Sequence, residues 1–76
     1  MQKISEVLHT SRRNKKLTLQ QLSDLTGISM VSLNKYEKGT IIPNISNLYK
    51  LSNVLEFDYD EASAISAKEK ARKNAK

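Results

Sequence analysis

The chain has two glycines, at positions 27 and 39, and each closes a short amphipathic stretch. Glycine enters the left-handed backbone region at little cost, so both are placed to end helices. The segment G-I-S-M-V-S-L-N-K-Y-E-K-G therefore holds one helix of about nine residues, with Ser29 positioned to cap it by accepting from backbone N–H groups near Ser32. Upstream, Thr18 and Gln21 have the spacing of a capping box, and Leu22 and Leu25 supply the apolar face of a helix of about two turns that stops at Gly27. Two short helices joined by a glycine-containing turn of about three to four residues cannot lie antiparallel; they cross steeply, as in a helix-turn-helix. In the second of them Ile28, Leu33 and Tyr36 turn inward, which leaves Met30, Val31, Asn34 and Lys35 facing out. A mixed apolar and cationic face of that kind asks for a partner.

Three further helices are expected around this pair. Ile4, Val7, Leu8 and Ser11 form a stripe for a first helix from Ser5 to Arg13, ended by the polar N-K-K before Leu17. Pro43 and Asn44 mark a turn and a cap, after which Ile45, Leu48, Leu51 and Leu55 make the core stripe of a fourth helix. A fifth opens near Asp60 and Glu61, carries Ala62 and Ile65, and beyond Ile65 contains no apolar residue except alanine. The expectation is an all-α, five-helix domain over residues 1–66 with a basic tail over 67–76, the tail being either frayed helix or solvated linker. Seventy-six residues suffice for one domain with a thin core.

Several function classes are disfavoured. The absence of cysteine removes disulfides, thiol catalysis and thiolate metal sites. His9, the single histidine, lies on the polar side of the first helix and reads as an ordinary surface residue. Asp58, Asp60 and Glu61 lack the pattern of a calcium loop and suit the positive end of the fifth helix. No enzyme, cofactor, metal or small-molecule substrate is expected. No apolar run approaches the ~18 residues of a membrane span, and M-Q-K-I-S-E lacks the apolar centre of a secretory signal, so a cytoplasmic location is expected. The net charge of +5 is concentrated at two poles, residues 1–16 and 61–76, as suits a polyanionic partner.

Taken whole, L-T-L-Q-Q-L-S-D-L-T-G-I-S-M-V-S-L-N-K-Y-E-K-G resembles the helix-turn-helix of the phage Cro and repressor (Xre-like) DNA-binding family. The likeness continues through P-N-I-S-N-L-Y-K-L-S-N-V-L-E-F-D and so covers roughly residues 4 to 62. It implies a lambda-repressor-like fold in which the third helix lies in the major groove of double-stranded DNA. On that implication Ser29, Met30, Val31 and Lys35 face base edges, with Ser32 and Asn34 at the limit of reach. Lys35 suits guanine, and Met30 or Val31 a thymine methyl. Arg12, Arg13, Lys16, Thr18 and Asn44 are the implied phosphate contacts. Arg12 and Glu37 match a family ion pair that ties the first helix to the end of the third.

Two departures from the family pattern stand out. Leu19 replaces a frequent glutamine that touches phosphate, and the loop Thr40-Ile41-Ile42 is apolar where relatives are often basic or polar. Two adjacent isoleucines, Ile41 and Ile42, can hardly both enter the core, so the spare one, with the end of the fourth helix and the segment from Phe57 to Ile65, suggests a homodimer interface. The implied function is a transcriptional regulator, a repressor of phage or mobile-element type, binding a palindromic operator. Two alternatives share the fold: a DNA-binding piece of a longer repressor, and a protein-interaction module that docks through Met30 and Val31.

Overall fold

Each helix of this chain starts where a side chain can satisfy the free backbone N–H groups of a first turn. The computed structural model describes the backbone of residues 3–74 and the side chains of residues 3–71. Within them lie α1 (Ile4–Asn14), α2 (Leu19–Thr26), α3 (Met30–Lys38), α4 (Ile45–Leu55) and α5 (Tyr59–Asn74), with no strand among the described residues. Thr18 Oγ1 accepts from the Gln21 N–H at 3.1 Å while Gln21 Oε1 accepts from the Thr18 N–H at 2.9 Å, a reciprocal capping box. Ser29 and Asn44 cap α3 and α4 by accepting from the N–H groups of Ser32 and Asn47. Asp58 does the same for α5 through the Glu61 N–H. Gly27 and Gly39 end α2 and α3 at φ of +76° and +79°. α4 ends without glycine: Glu56 takes φ of +60° in the left-handed position.

The core gathers Ile4, Val7 and Leu8 of α1, Leu22 of α2, Ile28 of the turn, Leu33 and Tyr36 of α3, Leu48, Leu51 and Leu55 of α4, and Ala62 of α5. Leu17, Leu19, Ile42, Val54, Phe57, Tyr59 and Ile65 pack partly buried around it. α1 lies against α3, α4 and α5, while α2 lies against α3 and α4.

Two residues assigned to inward stripes are in fact on the surface. Ile45 is 68% exposed and Leu25 is 60% exposed. At 3.6 residues per turn, Ile45 sits about 90° around α4 from the centre of Leu48, Leu51 and Leu55. It shares a face with Tyr49 instead. In α2 the inward side is Leu19, Leu22 and Thr26, and Leu25 lies beyond its edge.

α5 has no break at residue 66 and runs on to Asn74. Glu69 is tied into the fold, for its Oε2 accepts from the Ile4 N–H at 2.6 Å and so satisfies a free donor in the first turn of α1. Residues 75 and 76, the end of the basic tail, lie outside the described residues.

Candidate nucleic-acid interface

The turn between α2 and α3 is held by its own side chains. Thr26 Oγ1 donates to the Leu22 carbonyl at 2.8 Å and accepts from the Ile28 N–H at 3.2 Å, while the Ile28 side chain is buried beneath the turn. A Cβ on Gly27 would meet nothing within 4 Å, so its requirement is conformational rather than steric. α3 therefore leaves the turn with a defined direction. Leu33 and Tyr36 face the core, and Met30, Val31, Asn34 and Lys35 are exposed. Ser32 is half-buried, and its Oγ accepts from Ser29 Oγ at 3.0 Å.

The far end of α3 is anchored by Glu37. Arg12 Nε donates to Glu37 Oε2 at 2.7 Å, and Arg12 Nη2 to Oε1 at 2.9 Å, a bidentate pair. The third guanidinium nitrogen, Nη1, donates to the Leu17 carbonyl at 2.7 Å, which extends the tie to the loop before α2. Burial is the largest influence on Glu37 and by itself would push its pKa up. The hydrogen bonds from Arg12 and His9 and the charges behind them outweigh that, and hold the carboxyl below its ordinary value. On Arg12 the hydrogen bond to Glu37 dominates and raises the pKa.

His9 is the member of this cluster that sequence reasoning missed. Its Nδ1 lies 2.8 Å from Glu37 Oε1, so it is not an isolated surface residue. The signal was present in the spacing, since residues three apart on a helix share a face and His9 is three before Arg12.

Arg12, Arg13, Lys16, Thr18, Gln20 and Met30, together with the apolar Leu17 and Leu19, line an open groove where α1, the loop, α2 and the first turn of α3 meet. Four of the five residues expected at phosphates are thus brought together, beside one expected at bases. Lys16 takes φ of +58°, which turns the chain sharply enough for the Leu17 N–H to return to the Arg12 carbonyl at 3.2 Å. Asn44 stands apart at the start of α4. That turn is joined to α3 by Asn47, whose Nδ2 donates to the Tyr36 hydroxyl at 2.8 Å.

The residues expected at a dimer interface are divided. Ile42, Phe57 and Ile65 each pack part of their surface on the core. Ile41 is 39% exposed, and the other large apolar groups exposed on this side of the sequence are Ile45 and Tyr49. The Tyr49 ring meets Tyr59 edge to face, with centroids 5.6 Å apart.

Fold and site together define a helix-turn-helix domain. A family model described as helix-turn-helix matches residues 8–61. The cryptic phage CTXphi transcriptional repressor RstR of Vibrio cholerae serotype O1 is 41% identical over 59 residues, 78% of this chain and 53% of that protein. An HTH-type transcriptional regulator of Bacillus subtilis described as uncharacterized, YqaE, is 38% identical over 56 residues, 74% of this chain and 48% of that protein. The chain spans about half the length of the curated relatives it matches. No solved structure gives a significant match. The chain belongs to the Cro/C1-type (Xre-like) helix-turn-helix family, a family of DNA-binding regulators rather than enzymes. Among the described residues no helix is long and apolar enough to cross a membrane.

Proposed function

We propose that this chain binds double-stranded DNA in a sequence-specific manner as a transcriptional repressor of phage or mobile-element type, with α3 in the major groove. One observation carries the reading: Met30, at the start of the exposed face of α3, shares a groove with Arg12, Arg13, Lys16 and Thr18. A duplex whose phosphates sit in that groove has its base edges against the first turn of α3. The Arg12–Glu37 pair holds the other end of α3 to α1, so the helix meets the groove in one orientation. The repressor role is supported by the likeness to the Vibrio phage repressor. Its place of action would be the cytoplasm, where the DNA is.

The same reading has two copies on a palindromic operator, with half-sites about 34 Å apart. Ile41, Ile45 and Tyr49 are the exposed apolar groups proposed to meet across the two-fold axis, in place of Phe57 and Ile65, whose surface is partly used by the core.

Selection of random duplexes by the purified protein at about 150 mM salt tests this, since non-specific phosphate binding is weak at that concentration. An enriched inverted repeat is expected. Enrichment of a single half-site would keep the base reading and remove the dimer. No enrichment would overturn the function and favour docking on another protein.

A further inference from the structure

The exposed face of α3 is divided along its length. At its start Ser29 Oγ accepts the Ser32 N–H at 3.1 Å and shares a hydrogen bond with Ser32 Oγ at 3.0 Å, so the two hydroxyls are engaged with each other. The two side chains that follow, Met30 at 41% and Val31 at 65% exposed, have no hydrogen-bond donor. The exposed amide and ammonium groups, Asn34 and Lys35, come a turn later. Because Met30 also lines the groove that holds Arg12, Arg13 and Lys16, phosphates seated there bring Met30 and Val31 against base edges.

The major groove offers such a surface one apolar feature, the C5-methyl group of thymine. A 5-methylcytosine carries the same methyl at the same ring position. Unmethylated cytosine presents only a C5–H at that ring position; both cytosines keep the N4 amino donor, so the methyl contact is what separates them. Resting on the reading of α3 as the groove-binding helix, we propose that Met30 and Val31 recognise pyrimidine C5-methyl groups. Affinity beneath the first turn then follows the methyl, whether thymine or 5-methylcytosine bears it.

The test starts from the duplex the protein itself selects. Each thymine is replaced singly by uracil, which removes the methyl and keeps the pairing. Burial of one methyl corresponds to about a fourfold change in affinity. A loss of that size is expected at one or two base pairs per half-site, with no loss elsewhere. Val31→Ala or Met30→Ala, both at exposed positions, should bind the thymine duplex more weakly and lose the uracil penalty at the matching base pair. At that pair, 5-methylcytosine should bind about fourfold more tightly than cytosine. A preferred site that has no thymine, or tolerates uracil at every thymine, overturns the proposal while leaving sequence preference intact. So do penalties that persist unchanged in both variants. Absence of any sequence preference overturns the groove-binding reading and the methyl reading together.

Discussion

Two glutamates stand at the ends of consecutive helices, each facing a cation from α1 or the loop after it, yet they do opposite things for the fold. Glu37, in the last turn of α3, keeps 9% of its side chain exposed and is met by two nitrogens of Arg12 and one of His9. Glu56, just past α4, is 70% exposed and is met by Lys15 alone. Water does most of the solvating at Glu56, so its ion pair contributes little; at Glu37 the protein has replaced the water, so the carboxylate depends on its partners. The backbone sharpens the contrast, because Glu56 occupies a left-handed position suited to glycine whereas Glu37 sits in regular helix. The buried ties are concentrated at the end of α3, whereas the α4–α5 turn is held at Glu56 by one exposed ion pair.

The contrast breaks most visibly at Arg12. Arg12→Ala leaves Glu37 charged and out of water, and should cost about 3 kcal/mol in chemical denaturation at neutral pH. The sign with pH follows from the depressed carboxyl. Its contribution is present above the ordinary glutamate value of 4.5 and is lost as pH falls through the lower folded-state value. Wild-type stability should therefore drop below about pH 4.5, and Arg12→Ala should shrink that drop; identical acid profiles would remove Glu37 from the account.

His9→Ala removes one of three donors from Glu37, at a side chain that is half exposed. A loss of about 1 kcal/mol is expected in the same denaturation, and a loss as large as that of Arg12→Ala would mean that His9 holds the carboxylate as firmly as Arg12 does. Glu56→Gly should go the other way. It relieves a left-handed residue of its Cβ and gains about 1 kcal/mol despite losing the ion pair; destabilisation would show that Lys15–Glu56 matters after all. The smallest effect belongs to Lys15→Ala, within about 0.5 kcal/mol of wild type.

What could be read from sequence was what depends on neighbours along the chain. Thr18 with Gln21, Ser29, Asn44 and the two glycines make their caps and stops within four residues, so α2, α3 and the start of α4 were legible. Ile45 and Leu25 were not, because a spacing of three tilts a residue well around the helix and only the packing partner decides which shoulder is buried. The end of α4 at Glu56 carries no glycine to announce it. Past Ile65 there was no stripe to count, and the Glu69 bond to Ile4 spans nearly the whole chain. In the site, the grouping of Arg12, Arg13, Lys16 and Thr18 followed from their adjacency at the α1–α2 junction. His9 was missed although it lies three residues before Arg12 on one helix face, because the pairing of Arg12 with Glu37 came from the family pattern and that pattern named no third member.

The claim that α3 reads bases while the α1–α2 junction holds phosphates is tested most directly by titrating Lys35→Ala and Lys16→Ala against the selected duplex and its single-base variants at several salt concentrations. Lys35→Ala should lose preference at one base pair, by about 1 to 3 kcal/mol, and keep it at the others. Lys16→Ala should weaken every duplex alike and lower the salt slope by about one. Uniform weakening by Lys35→Ala, with base preferences intact, would contradict the assignment of α3 to the bases.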